Sequence, residues 1–107
     1  MMTDTAKRLA GPDDIPNSTT TMYTVPSSTK AILRNIHIAN TTGTAASIKM
    51  SIGADAAGTR ILGDTVIPAN GTYDWTGFMV MEAGETLRAT GGTNNALTVT
   101  VSGVEVS

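Results

Sequence analysis

A chain of 107 residues holds one domain of ordinary size and leaves no room for a second. Its charged fraction of 15 % and net charge of −2, with the basic residues scattered from Lys7 to Arg88, exclude the clustered phosphate-neutralising face that nucleic-acid binding needs. It has no cysteine, which excludes disulfides and thiolate metal sites; no window is apolar enough to span a bilayer, and Met1–Ala10 lacks the apolar run of a signal peptide, so a soluble protein made in a cytoplasm is expected.

Residues 1–18 contain Gly11, Pro12, Pro16 and Asn17 and show neither helical nor strand periodicity. Composition alone fits a disordered tail, since few apolar residues offset the entropy of ordering, and also an extended arm that orders against a neighbouring subunit. The domain proper is expected over residues 19–107. Its residues, rich in Thr, Ser, Ala and Gly and poor in Lys and Glu, suit pleated strands and make poor helices.

Met22–Val25 reads as a short strand. Ala31–Asn40 reads as a longer one with imperfect parity, because Arg34 falls on the face of Ile36; either a bulge intervenes or Arg34 lies near a sheet edge. Ser47–Ile52 alternates cleanly, with Ile48, Met50 and Ile52 on one face. Gly53–Gly58 has room for one short turn. Weaker strands are expected at Arg60–Leu62, Thr65–Ile67, Tyr73–Trp75, Phe78–Met81 and Thr86–Ala89. Leu97, Val99 and Val101 form a second clean alternating face. Val104 and Val106 then reverse the parity, as a bulge at Gly103 would. Between these runs lie turn residues: Pro26-Ser27-Ser28, Thr42-Gly43-Thr44, Pro68-Ala69-Asn70-Gly71, Ala83-Gly84 and Gly91-Gly92-Thr93-Asn94-Asn95. About eight short strands on so few residues predict an all-β antiparallel sandwich of jelly-roll type, with Ile48, Met50, Ile52, Leu97, Val99 and Val101 in its core.

Chemistry is sparse. The single histidine, His37, lies within a strand, with no Gly-x-Ser-x-Gly near any serine, so a nucleophile–base pair is not indicated. One histidine and no cysteine cannot make a zinc site. Asp55 and Asp64 flank a small-residue loop but lack the further oxygens of a calcium site, and fit turn-forming roles. Two carboxylates could still meet in space as a glycosidase pair, though nothing favours it. No Gly-Lys-Ser/Thr phosphate loop occurs. No catalytic residue, metal or cofactor is therefore assigned. Trp75, the one tryptophan, fits a core or sheet-covering aromatic and also a contact anchor, including one that stacks on sugars.

The wording along the chain carries a resemblance. Leu9-Ala10-Gly11-Pro12, Met22-Tyr23-Thr24-Val25-Pro26, Ile32-Leu33-Arg34-Asn35-Ile36-His37-Ile38-Ala39-Asn40, Ser51-Ile52-Gly53-Ala54-Asp55, Ile67-Pro68-Ala69-Asn70-Gly71, Glu82-Ala83-Gly84-Glu85 and Val101-Ser102-Gly103-Val104-Glu105-Val106 succeed one another in this order. Together they resemble small virion structural proteins of tailed bacteriophages, of capsid decoration or minor tail type. The resemblance implies a non-enzymatic protein on the outer capsid surface, bound to the major capsid protein as a homo-oligomer, a trimer at local threefold positions. A minor tail or collar component bound to tail subunits is the alternative, and a host-glycan-binding module using Trp75 a further one. It also implies that residues 1–18 are an ordered docking arm, with Lys7, Arg8, Leu9 and Ile15 as its contacts and Trp75 as a further protein contact.

Overall fold

The structure is a computed structural model that describes residues 4–53, 56 and 58–107; the expected turn at Gly53–Gly58 and Asp55 fall largely outside them. Eight strands follow in order: β1 Asp4–Asp14, β2 Thr20–Thr24, β3 Lys30–Asn40, β4 Ala46–Ile52, β5 Arg60–Ile67, β6 Thr72–Met81, β7 Thr86–Gly91 and β8 Leu97–Val106. They form two antiparallel four-stranded sheets, ordered β1-β8-β3-β6 and β2-β7-β4-β5. Every connection except the β4–β5 hairpin passes from one sheet to the other. The short turns at 25–29, 82–85 and 92–96 therefore each bridge the two layers of a sandwich.

The core lies between the layers and follows the period-two faces. Leu33, Ile36 and Ile38 of β3, Ile48 and Met50 of β4, and Leu97, Val99 and Val101 of β8 are all buried. Ile52, expected with them, is only partly buried; it is the last residue of β4 and packs against the core from there. Each fully buried side chain of this size contributes about 1.5–3 kcal/mol. Asn40 is the one amide in this interior, 3 % exposed, and its hydrogen bonds are satisfied. Its Nδ2 donates to the carbonyls of Thr44 (2.9 Å) and Ile67 (3.1 Å), while its Oδ1 accepts from the main chain and hydroxyl of Thr42. One residue thus ties the end of β3 to the loop before β4 and to the end of β5.

Breaks in the period-two pattern are bulges rather than strand ends. Leu33 pairs with Gly103 and Asn35 with Ser102, so Arg34 is an extra residue in β3 and points to solvent; inward parity passes from Ala31 and Leu33 to Ile36 and Ile38. The strands expected at Arg60–Leu62 and Thr65–Ile67 are one strand, joined across Gly63-Asp64, where Asp64 takes a left-handed φ of 53°. Tyr73–Trp75 and Phe78–Met81 are likewise one strand, joined through a bulge around Gly77. The bulge expected at Gly103 is corrected: β8 keeps its inward parity through Leu97, Val99, Val101 and Gly103, and the extra residues lie in β3 and β1 instead. Gly103 is glycine for another reason. A side chain there would collide with the Ile32 carbonyl of the neighbouring strand.

The reading of residues 1–18 as an arm apart from the sandwich is also corrected. Residues 4–14 are strand β1, paired with β8 from Asp4↔Val106 to Asp14↔Thr98. The chain then crosses to the other sheet, held by main-chain bonds from Ile15 to Leu97 (2.9 Å) and from Gly91 to Pro16 (2.9 Å). Two register shifts, one around Leu9 and one around Gly11-Pro12, destroy the alternation that would have marked β1 as a strand.

Candidate functional site

Among the residues singled out as contacts, Leu9 (8 % exposed) and Ile15 (0 %) belong to the hydrophobic core and cannot face a partner. Leu9 is buried because β1 is a strand of the sheet, and Ile15 because the chain crosses between the layers directly after β1, so both complete this protein's own interior. Lys7 reaches Glu105 (Nζ to Oε1, 3.2 Å), and Arg8 is exposed on the same strand. Trp75 is partly buried on β6 and packs against the core, with its ring over Gly77; a Cβ at residue 77 would lie 2.7 Å from the ring. It covers the core edge and keeps part of its surface exposed.

Lys7 belongs to a cluster that closes the side of the sandwich where β1 comes near β2. Tyr23, from β2 in the other sheet, donates its phenolic proton to Oε2 of Glu105 on β8, and Lys7 of β1 donates to Oε1. The Glu105 carboxyl is held below its ordinary range, chiefly by the Tyr23 hydrogen bond; desolvation opposes this, and Lys7 adds to it through its hydrogen bond and charge. Burial, then the hydrogen bond to Glu105 and its negative charge, push the Tyr23 phenol well above its ordinary value of 10.0. The result is a charge-assisted link between the two sheets.

The opposite side is different in kind. The turn Pro68-Ala69-Asn70-Gly71 passes the chain from β5, an edge strand of one sheet, to β6, an edge strand of the other; Asn70 takes the left-handed φ of 54° that the turn requires. In β5 only Ile67 is buried, and in β6 only Met81. Ile61, Leu62, Tyr73, Trp75 and Met79 pack against the core while remaining partly exposed. Phe78 (65 %), Val80 (43 %) and Val66 (64 %) are the large apolar side chains that stand exposed among the described residues, and all three lie on these two strands.

Elsewhere the polar groups pair on open faces. His37 Nδ1 lies 2.6 Å from Asp74 Oδ1 across β3 and β6, with Thr100 opposite His37 on β8. This row has the order of a nucleophile, a base and an orienting acid, but it lies on a sheet surface, with the His37 and Asp74 side chains 42 % and 52 % exposed. A catalytic row would need donors fixed around a reacting oxygen and exclusion of water. Lys49 and Asp64 approach to 3.7 Å beside a small hollow of about 60 Å³ that Ser47, Thr90 and Gly92 also line. A shallow end pocket of about 310 Å³ lies between the 28–30 turn, Glu82-Ala83 and Val106-Ser107, spanned by the Lys30–Glu82 pair at 3.6 Å. Among the described residues no three His, Cys, Asp or Glu side chains gather as metal ligands, and no helix is long and apolar enough to cross a membrane.

Two features escaped sequence reasoning. The Tyr23–Glu105 link joins residues far apart in the chain and leaves no local signal. The exposed apolar side did leave one: Phe78-Met79-Val80-Met81 is apolar without alternation, so a strand there must present apolar groups on both faces. Comparison with protein-family models and with curated proteins finds no match for this chain.

Proposed function

We propose that the protein is a non-enzymatic structural component of a tailed-phage virion, a jelly-roll decoration protein that binds the outer shell of the head as a homo-oligomer. The observation that carries this reading is the strand order, β1-β8-β3-β6 over β2-β7-β4-β5 with chain crossings between layers at nearly every turn. That order fits the winding of an eight-stranded double-sheet jelly roll, an architecture of viral capsid and lectin domains. The resemblance of the strand-and-turn wording to phage virion proteins points the same way. So does a surface with few charges and an apolar side, which favours assembly with other subunits. The resemblance makes the major capsid protein the partner and a trimer at local threefold positions the arrangement.

With β1 built into the sheet, attachment falls to the faces and turns of the sandwich rather than to an N-terminal arm. The test is cosedimentation of the full chain with undecorated heads, together with its copy number in purified virions. Saturable binding and hundreds of copies per particle are expected. A few copies, or a few dozen, would move the protein to the tail or collar, and absence from virions would end the virion reading.

A further inference from the structure

We infer that the outer face of the β2-β7-β4-β5 sheet binds an acidic segment of a partner protein, with Arg88 as the group that grips a carboxylate and Lys49 beside it. The inference goes beyond the virion reading, because it names a surface and a chemistry whatever assembly supplies the partner.

Leu87 and Ala89 of β7 point into the core, so Arg88 between them points outward. The register sets it in one row with Thr21 of β2, Ser51 of β4 and Arg60 of β5. Lys49 lies opposite Thr90 in the next row, a diagonal neighbour of Arg88. The four strands of this sheet thus carry Lys49, Arg60 and Arg88 against a single carboxylate, Asp64, although the chain as a whole is acidic. These cations gather because β7 lies beside β4 in the sheet, though far from it in the chain.

Arg88 differs from the other cations. Lys7, Lys30 and Lys49 pair with Glu105, Glu82 and Asp64, and Arg60 is engaged within the chain. Arg8 and Arg34 are exposed, where water solvates them. Arg88 is partly withdrawn from water, yet among the described residues it has no ion-pair partner, and its buried Nε has no hydrogen-bond acceptor. A cation taken from water without an opposite charge costs free energy, which chains ordinarily avoid by pairing it. The nearby oxygens are committed elsewhere. The Ser51 hydroxyl donates to the Gly53 carbonyl (3.0 Å), the Thr19 and Thr90 hydroxyls bond each other (2.9 Å), and the Asp64 carboxylate faces Lys49 (3.7 Å).

An oxyanion from outside the chain is what this arrangement lacks, and a planar guanidinium matches a carboxylate. Lys49 adds a second positive charge, held only by an Asp64 side chain that is itself 68 % exposed. The surroundings favour a protein as the source of the carboxylate. Sugars stack on aromatic rings, and this face has none: Tyr23 is turned to Glu105, and Tyr73, Trp75 and Phe78 lie on β6 of the other sheet. A nucleic-acid backbone needs more phosphate-neutralising side chains than the face provides. An Asp- or Glu-bearing segment needs only what is present: Arg88 for one carboxylate, Lys49 for the field around it, and the exposed Thr21 for a polar contact beside them.

The experiment titrates the full chain with an octaglutamate peptide at low ionic strength, followed by backbone amide NMR, alongside Arg88→Met and a control, Arg34→Met, at an exposed cation on the other sheet. The wild-type chain and the control should bind alike, with shifts confined to β2, β7, β4 and β5. Arg88→Met should bind about ten- to hundredfold more weakly. Methionine keeps an unbranched stem and drops the charge, so this variant should fold with an unchanged or raised thermal midpoint, which a purely structural role would lower. A wild-type chain that ignores the peptide overturns the inference. So does undiminished binding by Arg88→Met, or a lowered midpoint in that variant. Binding of a polyuronate oligosaccharide or a single-stranded oligonucleotide in place of the peptide overturns it as well. Virion association is a separate readout. A chain that binds the peptide through Arg88 and is absent from virions removes the proposed function alone, and one that decorates heads but ignores the peptide removes this inference alone.

Discussion

Where β1 comes near β2, the gap between the sheets is closed by Lys7, Glu105 and Tyr23, polar groups from three strands that satisfy one another. Where β5 turns into β6, it is closed by Leu62, Tyr73, Trp75 and Met79, which cover the core and remain partly in water. The first side is finished within one chain, because a carboxylate with two donors needs nothing further. The second is apolar surface for which solvent is a poor partner. A sandwich has two open sides, and here one is closed by paired polar groups and the other by partly exposed apolar ones.

The comparison can be broken most severely from the N-terminus. Removing residues 1–18 takes Leu9, Ala10 and Ile15 from the core and strips β8 of a partner, so the cooperative unfolding transition should disappear in calorimetry. A docking arm would leave that transition unchanged. Next in size is Leu33→Ala in the central strand β3, where the side chain is fully buried; it should lose about 2–5 kcal/mol in denaturant titration. Val99→Ala, equally buried on β8, should lose about 1–3 kcal/mol. Phe78→Ala should change stability by less than about 0.5 kcal/mol, since its side chain lies largely in solvent.

The sealed side is best probed by pH. Glu105 titrates below its ordinary value of 4.5, so its contribution is complete above that value and is lost as pH falls through the lowered native pKa. Tyr23 is raised, so its contribution holds below 10.0 and declines as pH climbs above it. The wild-type denaturation midpoint should therefore fall at both ends of the range, and Glu105→Gln should flatten the acid limb. An unchanged acid limb in Glu105→Gln would show that the link between the sheets contributes nothing measurable.

Most of the sandwich was legible because its central strands alternate. Ile48 and Met50, and Leu97, Val99 and Val101, face inward as their spacing requires. Arg34 was legible as a choice between a bulge and an edge, and register decides it. β1 was not legible. Its two register shifts leave Leu9 and Ala10 buried side by side, so no period survives, and its partner lies at the far end of the chain. The same blindness hid Glu105 and Tyr23, since a hydrogen bond between distant strands leaves no trace in spacing. The contact residues placed on the N-terminal segment followed from reading that segment as outside the fold.

The pairing of β1 with β8 also sets a timetable. Asp4 lies opposite Val106, so the first described strand to leave the ribosome waits for the last. At about 5–20 residues per second that interval is roughly 5–20 s, during which Leu9 and Ile15 have no core to enter. Strands β2, β7, β4 and β5 can assemble among themselves sooner, but the β1-β8-β3-β6 layer closes only once β8 has been made. A nascent chain of this topology spends that wait as a half-formed sandwich with an unshielded sheet, and its yield in cells should depend on how sparsely such chains are made.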